Sequence, residues 1–364
     1  MNSSVKENKM LSPYFLFFLI SAAQTGIVML TFQTKIIKGA GHNSWLSVLV
    51  LGLVMHVIFI MMLYILKQSS GGDILSFHRD VFGKFFGGIV NIILAIYFLN
   101  VSLFSIYSYI DILQIWVFDG ILSWEFSILL IILIFYIVVG GFRIIAAIAY
   151  FGVIIPSLIL LIFLYLFNYI ELSYLQPIFL HGVKDHLISA REAVPLFLGF
   201  ENVLIYFPFI KNREKAPKWG HLGLLFTTIM YTSIAILTFL FFTMGKLNRL
   251  TWPTLTMVKI IQFPFIERFE FIFIFTWLLS VIAGACIYLW SAIRSIKLTI
   301  PKIKSTHLLI FLLGIFLFIN SFLIDLQFSF LWSKIYMHTG HILLFGYIPL
   351  LFIIALIKGK LAKK

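Results

Sequence analysis

Charge is scarce in this chain: aspartate, glutamate, lysine and arginine make up 11% of its 364 residues, where soluble domains carry about a quarter. Cysteine is nearly absent. Cys286 stands alone in an apolar run, so no internal disulfide can form, and no Cys/His cluster has the spacing of metal ligands. A phosphate-cradling P-loop and a strand-turn-helix nucleophile elbow are also missing, so the sequence indicates neither an ATPase nor a hydrolase and calls for no cofactor. Acid is scarcer than base, 14 residues against 27, which gives a formal net charge of +13. Such a charge can mark a nucleic-acid binder, but no basic, aromatic-interleaved soluble stretch exists to support that partner. What fills the chain instead is apolar: 62% hydrophobic residues and a mean hydropathy of +1.07. A soluble fold of this length has too little interior to hide so much apolar surface, so the chain reads as an all-α polytopic membrane protein.

Ten hydrophobic segments of spanning length can be marked, at about 14–34, 45–66, 85–109, 126–141, 144–167, 193–210, 219–244, 269–293, 306–323 and 336–357. The first lacks a small-residue cleavage site followed by a polar region, so it reads as a retained span. The fourth and fifth meet through Gly140, Gly141, Phe142 and Arg143, a tight hairpin. With the N-terminus placed in the cytoplasm, the inner segments hold 18 of the 27 basic residues. The strongest markers are KNREKAPK (211–218) and the tail KGKLAKK (358–364), with Lys6, Lys9, Arg143, Arg294 and Lys297 adding to them. Asp111, Asp119, Glu125, Glu171, Asp185, Glu192, Glu267 and Asp325 fall at the outer side. Both termini are therefore expected in the cytoplasm. The inner stretch 71–88 suits a short interfacial helix. The outer stretch 251–270 suits a helix over the outer mouth, anchored by Trp252 and Phe263.

One segment is out of character. Glu192 to Lys211, EAVPLFLGFENVLIYFPFIK, is apolar enough to enter a bilayer, yet holds Pro195, Gly199, Glu201, Asn202 and Pro208. Proline removes a backbone donor and glycine weakens a helix, so a continuous rod is not expected here. An ionisable Glu201 beside the break is costly in hydrocarbon unless it meets a cavity, a partner or a ligand. The plainer alternative is a kinked buried helix whose carboxyl caps nearby backbone. Span one carries a corresponding interruption at Gln24, Thr25 and Gly26, preceded by Ser21, Ala22 and Ala23. Ten spans divide into five plus five, and an odd number per half inverts the second half. The first repeat would cover about 12–168 and the second about 190–357 of a single membrane domain, with helices 1 and 6 broken. Paired breaks at the starts of two halves point to a mid-membrane binding site. Its walls would come from span three, through Tyr97, Asn100 or Val101, and Ser105, and from span eight, through Trp277, Gly284 and Tyr288. For any one of these residues taken alone, core packing or an interface belt is the better explanation. His56 could pair with a neighbour, and His338 and His341 read as interfacial residues at the start of span ten.

The stretches SAAQTGIVMLT (21–31), VFGKFFGGIVN (81–91), VPLFLGFENVLIYFPFI (194–210) and TWPTLTMVKIIQFPFIERFEFIFIFTW (251–277) together carry a resemblance. The chain resembles the B-subunit family of spore germinant receptors, within the amino acid–polyamine–organocation transporter superfamily, over nearly its whole length. That resemblance implies a LeuT-like fold of ten helices in a 5+5 inverted repeat, in the spore inner membrane or cell membrane. It implies a small germinant, an amino acid or else a nucleoside or sugar. It also implies two partners, an A-subunit membrane protein and a C-subunit lipoprotein. By the same resemblance the germinant pocket would be formed by Gln24, Thr25 and Gly26, by Gly199, Phe200 and Glu201, and by Tyr97, Val101, Gly284 and Tyr288. Span one has a lone glycine in place of a glycine–x–glycine pair. The alternative to a receptor is a proton-coupled amino acid or polyamine transporter.

Overall fold

A computed structural model describes residues 7–118, 120–178, 180–323 and 326–361. Lys6, Asp119, Asp325, Lys363 and Lys364, used above to orient the chain, lie outside them. The described residues form helices and no named strand. In chain order these are α1 (Phe15–Gln24), α2 (Gln33–Lys67), α3 (Ile74–Trp116), α4 (Ser123–Val139), α5 (Phe142–Tyr169), α6 (Val183–Phe197) and α7 (Phe200–Phe209). They continue with α8 (Ala216–Phe241), α9 (Pro253–Val258), α10 (Phe269–Thr299), α11 (Ser305–Phe322) and α12 (Gln327–Leu361). Seven of them are long and apolar enough to cross a membrane. The bent pair α6 and α7 adds one if counted as a single span, and α1 and α4 are apolar but shorter.

Local chemistry explains the boundaries. Asp73 caps α3 by accepting from the Ser76 amide at 2.8 Å. Gly83, at φ 75° and ψ 176°, then breaks α3 and sets residues 74–82 apart as a short leading helix, as the 71–88 pattern suggests. The α4–α5 hairpin turns at Gly141, whose φ of 89° suits glycine. The stretch 251–270 is less helical than its composition suggests. Before α10 begins at Phe269, only Pro253–Val258 forms a helix there, and it starts at a proline that has no amide to lose. The last span begins well before residue 336. α12 runs unbroken through His338 and His341 and passes into a π-helical stretch at Ile342–Tyr347. His338 and His341 accordingly bond to the carbonyls of Lys334 and Met337 along the helix rather than marking its start. His56 does find a partner, the ring of His221 on α8, at 2.8 Å.

α10 lies at the centre, packed against α3, α5 and α1, while α1 also packs on α8 and α5. Small residues permit these crossings. A Cβ on Gly152 of α5 would sit 2.8 Å from the Leu279 carbonyl oxygen of α10, and one on Gly284 of α10 would sit 3.3 Å from the Ala22 carbonyl oxygen of α1. Ser280 reinforces the first crossing by donating to the Gly152 carbonyl. Many side chains on the outer faces, such as Ile96, Ile132, Leu164 and Phe311, are exposed apolar groups. That is the surface of a bundle whose solvent is lipid.

Candidate functional site

Two interrupted helices meet inside the bundle. α1 ends at Gln24. Thr25 (φ −82°, ψ 53°) and Gly26 (φ −87°, ψ −157°) leave the helical region, and the chain resumes in a 3-10 turn at Ile27–Leu30. α6 ends at Phe197, α7 begins at Phe200, and the two are bent by 50°. Between them Gly199 lies at φ 136° and ψ −41°. A Cβ there would sit 2.5 Å from the Ala23 carbonyl carbon, 2.7 Å from its oxygen and 2.8 Å from the Gln24 nitrogen. The breaks therefore touch backbone to backbone, and glycine is needed for both the torsion and the distance.

Side chains satisfy the backbone groups that the breaks set free, as a lipid-surrounded chain requires. Gln24 is the bracket. Its Nε2 donates to the Phe197 carbonyl at the end of α6 (2.8 Å), and its Oε1 accepts from Thr227 of α8 (2.7 Å). Its own carbonyl accepts from Tyr231 at 2.6 Å. Trp277 of α10 donates through Nε1 to the Gly26 carbonyl at 3.2 Å.

Glu201 is completely buried in the first turn of α7. Its Oε1 accepts from Tyr97 of α3 at 2.8 Å and from Tyr288 of α10 at 2.6 Å, and its Oε2 accepts from the Gly199 amide at 2.7 Å. Among the described residues no lysine, arginine or histidine pairs with it. Three donors thus stabilise a carboxylate that has no cation beside it. Asn202 Oδ1 and the Tyr206 hydroxyl, also buried on α7, have no partner among the described residues.

A cavity of about 20 Å³ opens beside this network, room for roughly one water. Gln24, Gly26 and Val28 line it from the first break, Pro195 and Leu198 from the second, Val101, Phe104 and Ser105 from α3, and Tyr288 and Tyr336 from α10 and α12. The ten residues singled out in the sequence therefore divide by place. Gln24, Gly26, Val101 and Tyr288 face the cavity. Tyr97 and Glu201 sit next to it, joined to it through Tyr288. Gly199 and Gly284 hold α7 and α10 close to α1. Thr25 turns the other way, toward Gly152 and Pro156 of α5, and the Phe200 ring meets Phe59 of α2 at 6.4 Å.

Sequence reasoning did not single out Tyr336, Thr227 or Tyr231. Thr227 and Tyr231 are four residues apart in an apolar helix, a polar stripe that was there to be found. Tyr336 gave no such signal, because its place on the cavity wall depends on α12 packing against α3, where its ring stacks on Phe104 at 4.7 Å.

The sequence model of the family described as "Spore germination protein" matches residues 10–329. Spore germination protein GerQB of Bacillus cereus is 35% identical over 356 residues, covering 97% of each chain. Spore germination protein B2 of Bacillus subtilis (strain 168) is 23% identical and covers 71% of each. Among solved structures, MhsT in complex with L-phenylalanine superposes with a TM-score of 0.51 at 13% identity, over 94% of this chain and 98% of that one. At that identity the likeness shows the helical fold alone and nothing of the ligand.

Proposed function

Because the chain belongs to the spore germination protein family, whose members are of a receptor or permease kind, we propose that it is the B subunit of a nutrient germinant receptor that holds a small germinant between its two helix breaks. The observation that carries this reading is Glu201, a fully buried carboxylate at the α6–α7 break with three donors and no cation. Charge buried in a membrane bundle calls for a countercharge, and a ligand ammonium supplies one. The germinant's carboxylate would lie toward the broken helix ends, where amides are free of helical partners. An amino acid meets both demands. A nucleoside or a sugar would rely instead on the hydroxyls of Ser105, Tyr288 and Tyr336.

The cavity of about 20 Å³ is far smaller than an amino acid. Binding would therefore require Leu198, Phe104 and Tyr336 to part and the Tyr288 hydroxyl to swing from Glu201. A germinant that binds the parted arrangement more tightly shifts the balance toward it, by as much as the difference in affinity allows. In this reading the shift passes to the A-subunit membrane protein and the C-subunit lipoprotein and triggers germination. The chain sits in the spore inner membrane with its basic ends, and both termini, on the cytoplasmic side.

Glu201 also favours a second reading. A proton can neutralise the carboxylate as well as an ammonium can, which is what a proton-coupled amino acid or polyamine transporter requires. Two measurements separate the readings. The first is calorimetric binding of a germinant panel to the purified chain and to the assembled subunits. The second is uptake of the same compounds, labelled, into vesicles holding this chain alone. Binding without uptake, lost in Glu201→Gln, supports the receptor; proton-dependent uptake supports the transporter. No binding by wild-type protein, alone or assembled, rejects the ligand site.

A further inference from the structure

At the basic end of the bundle, away from the helix breaks, a cavity of about 580 Å³ opens between α4, α5, α10 and α11. That is the size of a small-molecule site. Lys9, Arg143, Arg294 and Lys297 line it, and no carboxylate does. Two helices begin at its edge, α5 at Phe142 and α11 at Ser305, and neither N-terminus is capped by a side chain. Their positive ends add to the four cations. Arg294 is held in place from behind. Its guanidinium lies 4.6 Å from the Phe209 ring centroid and 5.7 Å from that of Trp290, and one Nη2 bond of 3.3 Å reaches Asp73. Its Nε has no partner among the described residues.

Positive charge alone would suit any anion. The rest of the wall narrows the choice, because Val138, Phe209, Trp290 and Leu309 make it apolar. Val139 on its wall, and Ile144 and Ile310 next in sequence to the lining residues Arg143 and Leu309, are 52%, 40% and 53% exposed. A soluble anion has no use for that apolar half. An amphiphile with an anionic head uses both halves, and basic pockets between membrane helices are where such headgroups bind. We propose that this cavity holds the phosphodiester headgroup of an anionic phospholipid, with its acyl chains lying along Val139 of α4 and Ile310 of α11. The headgroup contacts Lys9, Lys297 and Arg294, and through Arg294 it sits one side chain from Asp73, which caps α3.

Trp290 lines the cavity, so a brominated lipid seated there quenches its fluorescence. The test uses the full chain in phosphatidylcholine vesicles containing a small fraction of brominated phosphatidylglycerol or of brominated phosphatidylcholine. The Trp290 signal is the difference between wild type and Trp290→Phe. Quenching is expected to favour phosphatidylglycerol, and Lys297→Gln and Lys9→Gln should each weaken that preference by about fivefold. Both lysines are exposed, so these variants leave the fold intact, and total tryptophan quenching in them serves if Trp290→Phe does not fold. Equal quenching by the two lipids in wild type, or an unchanged preference in both lysine variants, overturns the proposal. Loss of the preference when glycerol 3-phosphate is added in water also overturns it, since the occupant would then be a soluble phosphate.

Discussion

Replacing Gly199 by alanine puts the meeting of the two breaks to the test. The new methyl would start 2.5 Å from the Ala23 carbonyl carbon and 2.7 Å from its oxygen. Both are backbone atoms of α1, so no flexible side chain can swing aside, and α1 and α7 must separate. Overpacking of this kind costs about 1–3 kcal/mol. The torsion adds its own cost, because φ 136° with ψ −41° is a region that L residues rarely enter, at about 1–3 kcal/mol. The sum is about 2–6 kcal/mol. With the unfolding entropy per residue of soluble domains, that lowers the melting temperature by roughly 3–8 °C. The assay is thermal unfolding of the purified full chain in detergent, followed by intrinsic fluorescence. Gly314→Ala is the control. Gly314 lies inside α11 with nothing within 4 Å of an added Cβ, and alanine there is expected to be neutral or to stabilise by up to about 1 kcal/mol. If Gly199→Ala melts with wild type while the control behaves as expected, the close approach of the breaks is refuted.

Three further outcomes follow from the same geometry. Tyr288→Phe removes one of two hydroxyls from Glu201 Oε1 and should cost about 1–3 kcal/mol in thermal unfolding; no loss would mean that the carboxylate does not depend on this bond. Glu201→Gln can keep both tyrosine bonds on its amide oxygen but sets an amide NH2 against the Gly199 N–H. It should destabilise by about 1–3 kcal/mol and, in spores, raise the germinant concentration needed for a half-maximal response; an unchanged dose response at wild-type abundance counts against the pocket. Gln24→Ala leaves the Phe197 carbonyl and the Thr227 hydroxyl without this partner. A loss of about 2–4 kcal/mol is expected from two bonds, and a melting temperature equal to that of wild type would show that Gln24 does not bracket the breaks.

The helix interruptions were legible because their causes are local. Pro195 and Gly199 disturb a helix wherever it packs, and Gly26 does the same more weakly. The face each residue would present was not legible. Gln24 and Thr25 are neighbours, yet one turns to the cavity and α8 and the other to α5. Near residue 251 the apolar composition suggested a longer helix than Pro253–Val258. Composition could not tell a turn packed on the bundle from a helix lying over it. Likewise the start of α12 was placed too late, because Trp332 and Ser329 pack on α3 through bonds to Asn100 and Tyr107. Those bonds keep a polar stretch within the bundle, where hydropathy alone would leave it outside.

By itself, the sequence determined that the chain lives in a membrane, where its hydrophobic segments lie, where two helices must break and which family it resembles. Each of these depends on hydropathy or backbone chemistry within a short window, and such quantities are set before the chain folds. Only the tertiary structure decided what Glu201 touches. Its two tyrosines lie 104 and 87 residues away, brought together by α3 and α10 packing around the break. The size of the cavity and the bracket that Gln24 makes between α1, α6 and α8 were decided in the same way, because distance between remote residues is a property of helix packing and not of any single segment.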